Sequence, residues 1–184
     1  MTKHTNKLIK ISKFLSKYLR HTPFEIGLNI DNQGWVNIDE LLFICEKNDF
    51  PITKLELIEV VKSNEKKRFS FDETGTKIRA NQGHSIKIDL NLIPKTPPLI
   101  LYHGTTRQFV NSILDQGLLK MSRHHVHLST DLETAKKVGQ RKGEPIILII
   151  NSQLMQKNGF IFYCSDNEVW LVDFVPREYL TIFS

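Results

Sequence analysis

Ser122-Arg123-His124-His125-Val126-His127-Leu128-Ser129 is the stretch around which the second half of the chain is organised. If it is extended, period-two alternation sends Arg123, His125, His127 and Ser129 to one face and Val126 and Leu128 to the other. One face then belongs to a core. The other carries an arginine, two imidazoles and a hydroxyl, a set suited to an anionic ligand rich in hydrogen-bonding groups. A surface strand with a chance histidine cluster is the plainer reading of this stretch alone, and the flanking sequence argues against it.

Outward from that strand, residues 99–102 form a short apolar run, a buried-strand candidate that delivers His103-Gly104-Thr105 at its end. A helix should follow with Phe109, Ile113 and Leu114 on one face and Gly117 as its cap. After the histidine-rich strand, Thr130 and Glu133 have capping-box spacing and should start a helix running through Val138. Residues 145–151, 160–163, 168–172 and 180–183 read as further strands, which makes this half a mixed α+β lobe.

The first half reads differently. From 8 to 19, Leu8, Ile11, Leu15, Tyr18 and Leu19 recur at helical spacing, and Lys10, Lys13, Lys17 and Arg20 repeat along the opposite face. Pro23 disfavours helix at Thr22, so the helix should end there and present Arg20 and His21 at its last turn. Residues 27–35 suggest a short extended piece with a tight turn at 31–34. A second helix is expected over 38–46 and a third from Thr53, whose spacing to Glu56 fits a capping box. Residues 68–71 and 76–80 flank Glu73-Thr74-Gly75 as a β-hairpin. Three short helices and a hairpin make a winged-helix-like pattern. The segment 81–98, with Gly83, Pro94, Pro97 and Pro98, marks the boundary, giving lobes at 1–93 and 94–184.

Composition bounds the classes. With 184 residues, 40% hydrophobic and 24% charged, the chain is an ordinary globular one, and its longest apolar run, 146–150, is far too short to span a bilayer. The N-terminus is basic but lacks the apolar region and cleavage site of a signal peptide, so a cytoplasmic protein is expected. The two cysteines, Cys45 and Cys164, belong to no paired motif, which argues against zinc and a disulfide framework and predicts reduced, buried thiols. The net charge of +5 favours an acidic partner without requiring one. There is no phosphate-cradling glycine loop with its lysine and no metalloprotease helix motif. Ser129, His103 and Asp131 could be drawn as a hydrolase triad, but no nucleophile-elbow glycines surround any serine. What the chain offers is arginine and histidine at exposed junctions in both halves: Arg20, His21, Arg68, His103, Arg123, His125 and His127. Clustered guanidiniums can stabilise phosphoryl charge without a metal, so these residues look like a phosphate site shared between lobes.

Five motifs then fall in order: Arg20-His21, Lys67-Arg68-Phe69-Ser70, Gln82-Gly83-His84-Ser85, Tyr102-His103-Gly104-Thr105 and Arg123-His124-His125-Val126-His127-Leu128-Ser129. Together they resemble the tRNA 2′-phosphotransferase family (Tpt1/KptA) over nearly the whole chain. The resemblance implies an N-terminal winged-helix RNA lobe and a C-terminal lobe of the ADP-ribosyltransferase fold that binds NAD⁺, which is consumed without a metal. It implies a two-step reaction: an internal RNA 2′-phosphate displaces nicotinamide to give 2′-phospho-ADP-ribosylated RNA, and the ribose 2″-hydroxyl then attacks phosphorus. The products are RNA with a free 2′-hydroxyl and ADP-ribose 1″,2″-cyclic phosphate.

By the same resemblance the catalytic set is Arg20, His21, Arg68 and Arg123. The arginines would grip the 2′-phosphate, and His21 would serve as phosphate ligand and general acid to the leaving 2′-oxygen. His103, Gly104 and Thr105 would contact NAD⁺, His127 and Ser129 would line its site, and Gly117 and Leu118 would pack near the adenosine. His125 shares the chemical face but reads equally well as a structural histidine. RNA contacts are expected from Lys13, Lys17, Ser70 and Arg79, although Arg79 could equally anchor the hairpin. The family generally has an apolar residue where many ADP-ribosyltransferases use a late glutamate, which makes Val169 the equivalent and Glu168 incidental. Trp35 and Trp170 read as core, and Thr22 stands where many relatives carry lysine. A monomer without membrane attachment is expected. Two other functions stay open: ADP-ribosyl transfer to a nucleic-acid end or a protein, and nucleic-acid binding by the winged-helix-like lobe without catalysis.

Overall fold

The computed structural model describes residues 3–64 and 66–183, and the chain divides into two compact units, Met1–Asn91 and Leu92–Ser184. Among the described residues there are six α-helices and several small antiparallel sheets, a mixed α/β architecture. No helix among them is long and apolar enough to cross a membrane.

The first unit opens with α1 (Lys3–Tyr18), whose apolar stripe buries Ile11 and Leu15, with Leu19 fully buried just beyond it. Helical hydrogen bonding runs on to His21, whose N–H donates to the Lys17 carbonyl (2.9 Å), before Pro23 opens a short 3-10 turn. Residues 28–31 are not a strand. Asp31 instead makes the turn, accepting from the backbone of Gln33 and Trp35 through its carboxylate and from Gly34 N–H through its carbonyl. β1 (Val36–Asn37) leads into α2 (Ile38–Lys47), capped by the Asn37 side chain. α3 (Lys54–Lys62) begins with the expected capping box between Thr53 and Glu56. The hairpin of β2 (Phe69–Phe71) and β3 (Lys77–Ala80) pairs Ser70 with Arg79, and β1 adds to the other edge of β3. One core joins Ile11, Leu15, Leu19, Leu41, Leu57, Phe69 and Ile78.

In the second unit β4 (Leu101–Thr106) is longer than its sequence suggests, so His103, Gly104 and Thr105 lie within the strand rather than after it. The reason is β7 (Pro145–Ile150), which supplies a partner to every residue from Leu101↔Ile150 to Thr106↔Pro145. α4 (Arg107–Gln116) packs through Val110 and half-buried Ile113, and leaves Phe109 and Leu114 of the expected apolar face exposed. β5 (Leu118–Leu119) follows and pairs with β10 (Phe174–Val175), two-residue strands too short to show a period. The histidine-rich stretch is extended only over β6 (Val126–Leu128) and its bridge residue Ser129. Its partner β9 (Trp170–Val172) is three residues long, and 121–125 form a turn with Arg123 N–H on the Lys120 carbonyl (3.1 Å).

α5 (Leu132–Gly139) is capped by Asp131, not Thr130: Asp131 Oδ1 accepts from Thr134 N–H (2.7 Å), and its anion also suits the helix dipole. α6 (Ser152–Lys157), unseen in the sequence, is capped by Asn151. β8 (Phe162–Cys164) flanks β9, and β11 (Leu180–Ile182) completes the sheet β11-β7-β4. Mutual hydrogen bonds between Tyr102 and Ser129 (both 2.8 Å) join β4 to β6.

Gly104 permits the closest packing in this unit. A Cβ there would collide with the Ala135 carbonyl oxygen of α5 and come within 2.9 Å of Gly139 N, so bare backbone is what lets α5 lie across β4. Gly104→Ala is expected to destabilise the protein by about 3 kcal/mol or more, since backbone must move. Gly27→Ala meets no atom within 4 Å and strains only a φ of 73°, costing about 1 kcal/mol. Urea unfolding midpoints of the two variants check that order.

Candidate functional site

In the first unit three segments bring expected site residues together. The end of α1 supplies Arg20 and His21. The turn before β2 supplies Arg68. The loop after β3 fastens both. Arg20 Nη2 donates to the Arg68 carbonyl (3.4 Å), and its guanidinium lies 5.9 Å from the Phe69 ring centre. Gly83, at φ 88°, leaves room beside it: a Cβ there would sit 3.7 Å from Arg20 Nη1. Arg68 Nη1 donates to Asn64 Oδ1 (2.9 Å). His21 Nδ1 and Ser85 Oγ are 2.9 Å apart, and Ser85 N–H donates to the Arg20 carbonyl (2.9 Å). Asn81 closes the arrangement, its N–H donating to the Arg68 carbonyl (2.9 Å) and its Nδ2 to that of Lys67 (2.7 Å). The Arg68 carbonyl and Asn64 Oδ1 orient the two guanidiniums that donate to them.

The expected RNA contacts are distributed differently. Lys13 is exposed on α1, whereas Lys17 is tied to Glu25 (2.7 Å) and Tyr18. Arg79 lies over the ring of Trp35, the residue just before β1 (4.4 Å), so part of its charge is spent on a cation–π contact within this unit. Ser70 stands opposite Arg79 in the β2–β3 ladder. His84 is buried in the loop after β3, and Trp170 is core.

In the second unit the Tyr102–Ser129 bridge sets His103 beside His127. His103 Nδ1 donates to the His127 carbonyl (3.0 Å), an atom that can only accept, so Nε2 of the neutral ring is left as an acceptor. Burial, aided by the Arg123 charge, pushes the His103 pKa below 6.5 and outweighs that hydrogen bond. Arg123 Nη1 donates to His127 Nδ1 (3.3 Å), which places the His127 proton on Nε2. Partial burial and the positive charge of Arg141 both work against the Arg123 cation, a setting that an anion would relieve.

His125 departs from the pair. The turn at 121–125 carries it onto Tyr163, 5.5 Å between ring centres, where burial lowers its pKa. Thr105 is buried, as is its neighbour Thr106, whose Oγ1 has no hydrogen-bond partner. Gly117, at φ 82°, closes α4 and is pressed against the Val175 backbone, and Leu118 is buried in the core. Glu168 is exposed in a turn, with half-buried Val169 after it. Among the described residues no group of three or more His, Cys, Asp or Glu could hold a metal ion.

Asn64, Asn81, Ser85 and Arg141 join these sets without having been singled out. Ser85 stood in a quoted motif. Asn64 had no signal, because its contact with Ser12 exists only once α1 and the turn before β2 meet, and its contact with Arg68 depends on the conformation of that turn.

The depressed His103 pKa has a stability consequence with a definite sign. The unfolded chain binds this proton near 6.5 and the folded chain only at lower pH, so the stability is fully present above 6.5 and is lost as pH falls towards the folded value. Unfolding midpoints between pH 7.5 and 5 should fall with acidification, and less steeply in His103→Asn. Equal slopes would contradict a buried neutral imidazole.

Comparison with known proteins follows the same residues. The model for "RNA 2′-phosphotransferase, Tpt1 / KptA family" matches residues 6–174. A probable RNA 2′-phosphotransferase of Nostoc punctiforme is 61% identical over 175 residues, covering 95% of this chain and 97% of that protein. A protein of the same description from Trichormus variabilis is 60% identical over 172 residues, 94% of each chain. One from Herpetosiphon aurantiacus is 48% identical over 176 residues, 96% of this chain and 97% of its own. The chain belongs to the RNA 2′-phosphotransferase, Tpt1/KptA family.

Proposed function

We propose that this protein removes an internal 2′-phosphate from RNA, of the kind left at a tRNA splice junction, by transferring it to NAD⁺. The observation that carries the reading is the cluster in the first unit. Arg20 and His21 at the end of α1 and Arg68 in the turn before β2 are brought together by hydrogen bonds, Arg20 to the Arg68 carbonyl, His21 to Ser85 and Arg68 to Asn64, in a chain of a phosphotransferase family. On this reading the first unit is a winged-helix-like RNA lobe and the second an ADP-ribosyltransferase-like lobe. The donor set of the second unit fits a dinucleotide. Neutral His103 offers an acceptor nitrogen for a ribose hydroxyl, and Thr106 has a buried hydroxyl in need of a partner. Gly104 serves mainly by admitting α5, because the space on its Cβ side is filled by protein. His127 and Ser129 complete the lining, and NAD⁺ when bound supplies an anomeric carbon with a good leaving group.

In the first step a 2′-phosphate oxygen bonds to that anomeric carbon as the bond to nicotinamide breaks, giving 2′-phospho-ADP-ribosylated RNA. Arg20, Arg68 and Arg123 orient the phosphate dianion. In the second step the 2″-hydroxyl bonds to phosphorus and the bond from phosphorus to the RNA 2′-oxygen breaks. The arginines offset charge on the non-bridging oxygens, His21 gives a proton to the departing 2′-oxygen, and the proton of the attacking 2″-hydroxyl passes to solvent water. The products are RNA with a 2′-hydroxyl and ADP-ribose 1″,2″-cyclic phosphate. Charge stabilisation by arginines can support both steps without a metal.

Incubation with a short RNA bearing one internal 2′-phosphate, in EDTA, should yield dephosphorylated RNA and ADP-ribose cyclic phosphate by mass, only when NAD⁺ is present. Arg68→Ala and Arg123→Ala should each lower the rate by on the order of a hundredfold. Accumulation of ADP-ribosylated RNA alone would place the function at ADP-ribosyl transfer. RNA left unchanged with NAD⁺ would overturn the reading.

A further inference from the structure

The backbone that leads into Arg68 is held in an uncommon conformation. Lys67 has φ 39°, in the left-handed region that residues other than glycine rarely adopt. Both of its peptide groups are pinned. Its N–H donates to the Asn64 carbonyl (2.7 Å), and its carbonyl accepts from Asn81 Nδ2 (2.7 Å). Asn81 also donates its own N–H to the Arg68 carbonyl (2.9 Å), one step beyond the β2–β3 pair Phe69↔Ala80. One residue thus holds two successive carbonyls of the left-handed turn. Its amide oxygen is buried and, among the described residues, has no hydrogen-bond partner, a cost that a side chain kept for packing alone would not carry.

We infer that Asn81 is a positioning residue for phosphate transfer, holding Lys67 left-handed so that the next side chain, that of Arg68, is delivered in one direction. This rests on the reading that Arg68 acts on the RNA 2′-phosphate. Strained backbone persists only where its surroundings over-determine it, and here the strained residue sets where a site side chain begins. Without the Nδ2 bond Lys67 relaxes towards negative φ, and the peptide leading into Arg68 turns with it. Glycine at position 67 would occupy the left-handed region at no steric cost and would not need the clamp.

The test uses the full chain, the 2′-phosphorylated RNA and saturating NAD⁺, at a temperature where circular dichroism shows every variant folded. Asn81→Ala is compared in three backgrounds: wild type, Lys67→Gly and Arg68→Ala. In the wild type it should lower kcat about tenfold or more and change the KM for RNA less, because the guanidinium stays but loses its aim. In Lys67→Gly the same change should cost less than about threefold, and in Arg68→Ala nothing further. A side chain that only stabilises the fold predicts no such recovery, since glycine loosens the chain further. Without RNA, the ¹⁵N signal of Arg68 Nε should move in Asn81→Ala and return towards its wild-type position in Asn81→Ala/Lys67→Gly, which reads the geometry independently of the reaction. Wild-type kcat in Asn81→Ala, or an equal loss in the Lys67→Gly background, would overturn the proposal. A fully active Arg68→Ala would overturn the role of Arg68 and the proposal with it, and is told apart because it appears with Asn81 intact.

Discussion

Fixing Arg20 and Arg68 where a helix end, a turn and a loop meet is the constraint on which the first unit depends. Arg68 leans on an amide oxygen, and Arg20 leans on the backbone carbonyl of Arg68 itself. Both acceptors are carbonyl oxygens, which fix the direction of a guanidinium N–H. The surrounding structure serves those two bonds. Asn81 holds the Lys67 and Arg68 carbonyls in place, and Ser85 ties the end of α1 to the loop after β3. Beneath them Leu15, Leu19 and Phe69 are buried, so the helix end and the β2 strand that carry the cations are fixed by core packing.

The second unit solves a different problem, that of setting the tautomers of two imidazoles. The six-residue β4–β7 ladder and the Tyr102–Ser129 bridge place His103 under the His127 carbonyl. Arg123, by donating to Nδ1 of His127, assigns the second ring its tautomer. Two rings with opposite tautomers present different nitrogens, an acceptor from one and a donor from the other, as suits a ligand carrying both hydroxyls and phosphates. This order depends on α5 lying flat on β4, and that in turn on the absence of a side chain at Gly104.

Much of this was legible in the sequence where physics is local. The Thr53 capping box, the α1 stripe, Pro23 as a stop and the turn around Glu73-Thr74-Gly75 are all decided within a few residues, and the structure keeps them. What could not be read depends on a partner. The strand expected to carry Arg123 begins only at Val126 because β9 ends at Val172, and β4 runs on because β7 is long enough to pair with it. The Asp131 cap differs from Thr130 by one residue, a shift that spacing alone does not resolve. Arg20, His21 and Arg68 stood out by type and position. Asn64 did not, because an asparagine in a polar turn looks like any other until its acceptor finds an arginine.

The most direct test of the central claim is side-chain ¹⁵N NMR of the full chain during titration with a short RNA carrying one internal 2′-phosphate, against the same RNA with a 2′-hydroxyl. The account predicts saturable shifts of the Arg20 and Arg68 guanidinium signals and of the His21 ring with the phosphorylated RNA alone. Identical shifts with both RNAs, or none at these three side chains, would contradict it.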